Sequence, residues 1–147
     1  MAQVRARAER TIGAPAERVR DAVADYREVR PRILTDEFRD YRVEAGGRGA
    51  GSRVHWVLQA TRKRSREQLI EVSAPAADRI VERDTNSSMV TTWSVVPDGA
   101  ERSTVTVETT WNGASGIGGF FERTFAPRGL QRIYAGVLTR LEDVVRG

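Results

Sequence analysis

The chain has 147 residues, 39% of them apolar and 30% charged, which suits one domain around one hydrophobic core and excludes disorder as its main content. It contains no cysteine, so disulfide scaffolds, thiolate metal sites and cysteine nucleophiles are excluded, and a reducing compartment is expected. The net charge of +4 comes almost wholly from scattered arginines, Lys63 being the only lysine, and nucleic-acid binding asks for a larger basic stripe.

No signal-like stretch opens the chain, and no run approaches the roughly 18 apolar residues that cross a bilayer. A cytoplasmic protein without stable membrane insertion, and with no nucleic-acid partner, is expected. Residues 2–12 alternate as a strand, with Val4, Ala6, Ala8 and Ile12 on one parity and Arg5, Arg7 and Glu9 on the other. Arg10 falls among the apolar positions, which calls for a carboxylate partner or, preferably, a bulge that turns it to solvent.

Gly13 breaks the strand, and Pro15 starts a short helix whose apolar face is Val19, Ala22, Val23 and Tyr26. A second short helix or turn around 27–29 should end before Pro31, because proline disfavours helical geometry in the residue ahead of it. From Phe38 the period becomes two, in candidate strands 38–44, 53–61, 67–73, 79–84, 89–96 and 103–111. Short turns rich in Gly, Pro, Asn and Asp separate them and predict hairpins in an antiparallel meander. Arg62, Lys63, Arg64 and Arg66 then fall on a hairpin tip and read as solvated charge. So do Asp36, Glu37, Asp40 and Glu44, which stand at mixed parity.

Residues 113–119 form a glycine-rich hinge. Beyond it Phe120, Phe121 and Phe125 lead into Leu130, Ile133, Tyr134, Val137, Leu138, Leu141, Val144 and Val145, a sustained helical stripe. Burying these last side chains contributes on the order of 10 to 20 kcal/mol before entropy is subtracted. The helix must therefore lie against the sheet, with Pro127 expected to kink or interrupt it. Residues 1–147 read as a single domain.

This order of elements, with the segments TIGAPAERV (11–19), GAGSR (49–53), EVSAP (71–75), TTWSV (91–95) and FFERTFAPRGL (120–130), resembles the START-like superfamily. The likeness is in particular to its bacterial polyketide cyclase/dehydrase and lipid-transport branch, and it covers essentially the whole chain. It implies an α+β helix-grip fold: a seven-stranded curved antiparallel sheet around a long C-terminal helix, with two short helices after the first strand. The matching segments are structural punctuation and imply no particular reaction.

All three tryptophans fall on the apolar parity of their strands, so a sheet curled around the helix points them inward. The expected lining of an internal ligand cavity is Trp56, Leu58, Ile70, Thr91, Trp93, Val107, Thr109 and Trp111 from the strands, with Phe121, Phe125 and Tyr134 from the last segment. Indole N–H groups would fix a ligand's polar edge, and the loop before Phe38 and the 113–119 hinge would guard the mouth. Plain core packing is the competing reading of the same residues. Gln68 shares parity with Ile70 and Val72.

His55, the only histidine, shares parity with Arg53, Val57 and Gln59 and is expected at an exposed or edge position. It has no neighbouring metal ligands and no G-x-S-x-G serine to serve, and neither glycine-rich stretch fits a nucleotide motif. No metal or cofactor is expected, and no catalytic residue is assigned. The expected function is binding or transport of a small hydrophobic ligand (lipid, fatty acyl or aromatic polyketide-like) by a monomer or homodimer. Two alternatives stay open: a polyketide cyclase or aromatase, and a toxin-like protein-interaction module that uses the basic hairpin.

Overall fold

The computed structural model describes residues 3–61, 64–112 and 127–146, the side chains of residues 60, 61 and 64 excepted. β1 (Gln3–Ile12) is followed by α1 (Ala16–Ala24) and α2 (Arg30–Ile33). Then come β2 (Phe38–Ala45), β3 (Arg53–Thr61), β4 (Arg64–Ala76), β5 (Arg79–Asp84), β6 (Val90–Pro97) and β7 (Ser103–Asn112), and α3 (Pro127–Arg146) completes the described chain. The strands form one antiparallel sheet in the order β1-β7-β6-β5-β4-β3-β2. Short connections make neighbours of successive strands from β2 to β7. β1 closes the far edge, paired with β7 without a shift from Gln3–Asn112 to Ile12–Ser103.

α3 packs along β1 and also touches α1 and α2. Its face of Leu130, Ile133, Tyr134, Val137, Leu138, Leu141 and Val145 is buried, as the helical spacing requires. β7 alternates buried and half-buried positions from Ser103 to Trp111, and the buried parity faces the helix side. This is the expected α+β helix-grip architecture.

Two local expectations need correcting. α2 does not end before Pro31: it runs through it, and in a single turn the missing proline N–H would have had no partner anyway. The described helix begins at Pro127, and the residues before it, with Phe120, Phe121, Phe125 and the 113–119 hinge, lie outside the described residues, as does the interruption expected at Pro127. No bulge turns Arg10 outward; it stays in register opposite Val105, and its guanidinium reaches Glu142 of α3 at 2.7 Å.

A bulge does occur in β2, where two-residue alternation was expected. Arg39 pairs with Val57 and Arg42 with His55, so β2 holds one residue more than β3 across this interval. Asp40 takes it up at φ 55°, the only non-glycine with positive φ among the described residues. The extra residue flips the parity beyond it, so Phe38 and Tyr41 both face inward. Phe38 meets the Trp56 ring edge-on at 5.6 Å, and Tyr41 stacks on it at 6.3 Å. The same kink covers His55, which is 5% exposed rather than open to solvent. Its Nδ1–H donates to the Asp40 carbonyl at 2.9 Å.

Glu142 fastens α3 to the start of the chain. It accepts from Arg10 Nε at 2.8 Å and from the Gly13 backbone N–H at 3.2 Å. The Arg10 hydrogen bond chiefly holds its carboxyl below the ordinary value, against a smaller opposing effect of burial. A carboxyl lowered on folding contributes stability that is present above its unfolded value and lost as pH falls through the folded one. In Glu142→Gln, urea midpoints should therefore fall less steeply than in the parent as pH drops below the ordinary glutamate range. Asp40→Gly should raise stability by up to about 1 kcal/mol by relieving the left-handed backbone, whereas Asp40→Val should lower it by more than about 1 kcal/mol, both read from urea midpoints.

Candidate functional site

The concave face of the sheet under α3 is apolar at most positions and sharply polar at a few. The polar groups form three connected sets, each reaching the same seam between sheet and helix.

The first set is centred on a buried ion pair. Arg30, the first residue of α2, is 1% exposed, and Glu82 on β5 is 3% exposed. Arg30 donates one NH1 hydrogen to Glu82 Oε2 at 2.6 Å and an NH2 hydrogen to the Val23 carbonyl at 3.0 Å. Its guanidinium lies 4.4 Å from the centre of the Tyr26 ring and 5.0 Å from that of Trp93. Glu82 also accepts from the Tyr26 hydroxyl at 2.5 Å and from Trp93 Nε1 at 3.2 Å. Burial is the largest single effect and opposes the charge on Arg30, but the Glu82 charge and hydrogen bond together with Tyr26 and Tyr41 outweigh it, and the guanidinium is held firmly protonated. The Tyr26 phenol is pushed well up, first by burial and then by the Glu82 charge, so it stays a donor.

In the second set, Trp56 Nε1 donates to Gln68 Oε1 at 2.7 Å, and Gln68 Nε2 donates to Asp84 Oδ2 at 3.2 Å. Asp84 is satisfied besides by Ser87 Oγ at 2.7 Å and the backbone N–H groups of Leu69 and Asn86. The third set is a hydroxyl cluster. Thr91 and Thr109 lie directly opposite on β6 and β7, 2.7 Å apart at their oxygens, and the Tyr134 hydroxyl of α3 sits 2.5 Å from Thr109 Oγ1. Burial raises the Tyr134 pKa against the opposing threonine hydrogen bonds.

At the meeting point lies a cavity of about 20 Å³ bounded by Arg30, Leu34, Phe38, Trp56, Gln68, Ile70, Glu82, Met89, Thr91, Trp93, Tyr134 and Val137. That is room for about one water molecule. Of the residues expected to line a pocket, Trp56, Ile70, Thr91, Trp93 and Tyr134 do meet here. Leu58, Val107, Thr109 and Trp111 are buried on the same face without bounding the cavity. Trp111 Nε1 is buried and finds no acceptor among the described residues. Phe121 and Phe125 lie outside the described residues.

Sequence reasoning misses Arg30 and Glu82, and they are the chemical centre of the site. Arg30 sits in an arginine-rich turn that reads as solvated. The usable signal is on β5, where Glu82 and Asp84 share the parity of Ile80 and so point inward. Among the described residues no group of three or more His, Asp or Glu side chains could hold a metal ion. Among the described residues no helix is long and apolar enough to cross a membrane.

A family model described as polyketide cyclase/dehydrase and lipid transport matches residues 3–146. The solution structure of a protein named KanY is 44% identical over 100% of both chains, with a TM-score of 0.90. A Thermus thermophilus protein is 26% identical over 97% of both chains, with a TM-score of 0.76. A START superfamily protein from Mycobacterium smegmatis, 17% identical over 97% of both chains at a TM-score of 0.72, shares the fold. No curated protein matches the chain.

Arg30→Met leaves Glu82 buried and unpaired, and should cost about 3 to 5 kcal/mol in chemical denaturation. Pairing it with Glu82→Leu removes the stranded charge and should recover most of that loss.

Proposed function

The chain belongs to the START-like superfamily, in its polyketide cyclase/dehydrase and lipid-transport family, and on that footing we propose that it binds a small hydrophobic molecule with a polar edge in the seam between the sheet and α3. What supports this reading is the convergence of Arg30, Glu82, Gln68, Thr91 and Tyr134 on one cavity whose other walls are aromatic and aliphatic. Such a lining, mostly apolar with a few placed polar groups, is the usual make-up of a small-molecule site. A core that had only to pack would be as stable with apolar residues in place of the ion pair.

In this proposal Trp56, Trp93, Ile70 and Val137 hold the ligand's body, and Leu58, Val107 and Trp111 back that wall. Gln68, Thr91 and the Tyr134–Thr109 hydroxyl pair hold its polar edge. Arg30 supplies a further donor, since its Nε is buried without a hydrogen-bond partner among the described residues. The described side chains leave space for a water only, so a ligand gains the seam by displacing side chains such as Leu34 and Phe38 at its edge.

The cyclase or aromatase alternative would act in the same seam. Tyr134, kept protonated by burial, would serve as a hydrogen-bond donor to a ketone oxygen. It lacks an obvious base, because both Glu82 oxygens already accept hydrogen bonds from Tyr26, Arg30 and Trp93.

Native mass spectrometry of the full chain as purified from cells, followed by organic extraction, should reveal a retained apolar compound. Trp56→Ala should stay folded and bind that compound about tenfold or more weakly, as expected for an aromatic anchor. Unchanged affinity in a folded Trp56→Ala protein would remove the seam as the site.

A further inference from the structure

The concave side has a second opening away from α3. Between α1, the β4–β5 turn and β6 lies a groove of about 390 Å³, against the 20 Å³ left inside the seam. Its apolar surface comes from Ala24, Ala74, Ala76, Ile80, Val95 and Trp93. The width is there because alanines stand where β4 gives way to β5, so no long side chain fills the gap. Arg20, Asp21, Asp78 and Arg79 ring it. Trp93 is the one residue among the described ones that bounds both the groove and the inner cavity.

We propose that this groove is a binding chamber for a compact, uncharged, apolar molecule packed against Trp93, and that Trp93 is the partition between the chamber and the polar seam. The inference rests on the small-ligand reading above and adds to it a second chamber beside the seam and the charge of the guest that chamber takes. Three observations carry it. The volume lies within the range of about 300 to 1,000 Å³ usual for small-molecule sites, whereas the seam holds one water. The rim carries two guanidinium and two carboxylate groups, so an ionic guest meets as much repulsion as attraction, while the alanine floor favours a neutral one. One of those guanidiniums is already fixed: Arg20 donates through Nε and NH2 to the Val95 carbonyl at 3.2 and 3.1 Å, which makes it part of the wall.

Trp93 is suited to the partition. Its ring is 2% exposed and is held from the inner side by the Nε1–Glu82 bond and by the Arg30 guanidinium. It therefore bounds the groove with a pre-ordered edge, only 2% of the residue being exposed, which loses little freedom when a guest packs beside it. Its cross-strand neighbour Ile80 extends the same surface.

The test titrates the full chain with the neutral fluorophore N-phenyl-1-naphthylamine while recording the indole N–H resonances, the Trp93 signal being assigned with Trp93→Phe. The Trp93 resonance should shift more than that of Trp56. Ala76→Phe fills the groove from an exposed position and should weaken binding about tenfold or more at an unchanged melting temperature. Gly129→Phe, built on the opposite groove between the 35–37 loop and α3 where a Cβ meets no atom of the described residues within 4 Å, should leave affinity unaltered. Binding that survives Ala76→Phe, or that Gly129→Phe abolishes, overturns the chamber while the small-ligand reading stands. A parent protein that takes up no probe and retains no compound from cells overturns both.

Discussion

Arg30 and Glu82 are 52 residues apart in the chain and meet inside the protein at 2.6 Å. Neither could be buried alone, because an unpaired charge in the interior costs several kcal/mol after every relaxation open to it. Burying both binds α2 to the middle of the sheet and dictates what surrounds them. The guanidinium needs faces to lie on, and Tyr26 and Trp93 provide them. The carboxylate needs donors beyond its ion-pair partner, and the Tyr26 hydroxyl and the Trp93 indole supply them. The shape of the seam follows from satisfying one charge pair.

Much of the architecture was legible because the signals that specify it are local. Alternation along β7, turn residues between β2 and β7, and the stripe from Leu130 to Val145 each lie within one element, and strand order follows once hairpins are short. The inward tryptophans followed from parity alone. What escaped was non-local or a matter of a single residue. Arg30 looks solvated until Glu82 is placed opposite it. The bulge at Asp40 shifts parity by one position, which no periodicity over an eight-residue strand can register, and it decides that Tyr41 stacks on Trp56 and that His55 is covered. Arg10 shows the reverse case: its awkward parity was visible, but the helix carboxylate that accommodates it is 132 residues away.

The polar sets also explain why a seam so rich in hydrogen-bonding groups is stable. Opposed threonines on β6 and β7 would leave two hydroxyls facing an apolar helix, and Tyr134 meets them at the point where α3 crosses. Gln68 links the Trp56 indole to Asp84, whose remaining capacity is taken by backbone N–H groups of the β5–β6 turn and β4. Each set is closed on itself, so a buried polar group rarely stands alone. The exceptions that face this side among the described residues, Arg30 Nε and Trp111 Nε1, are both donors, which favours a guest with acceptor oxygens.

How a guest could pass is constrained by the way α3 is fastened. Glu142 ties it to Arg10 and Gly13, Arg18 reaches the Val145 carbonyl at 3.4 Å, Arg140 donates to the Leu34 carbonyl at 2.9 Å, and Tyr134 is bonded to Thr109. Lifting the helix would break these contacts and expose its apolar face, a loss on the order of 10 kcal/mol and comparable to the whole stability of a domain. The helix is therefore firmly fastened, and any motion that admits the proposed guest has to be smaller. A swing of the Trp93 indole gives up one hydrogen bond to Glu82, worth about 1 to 3 kcal/mol for a charged acceptor. Glu82 still keeps Arg30 and Tyr26 when that bond is gone, so no charge is stranded. Phe38, at the edge of the seam, has no polar group to give up, and Trp93 can swing without stranding a charge, because Glu82 keeps both Arg30 and Tyr26.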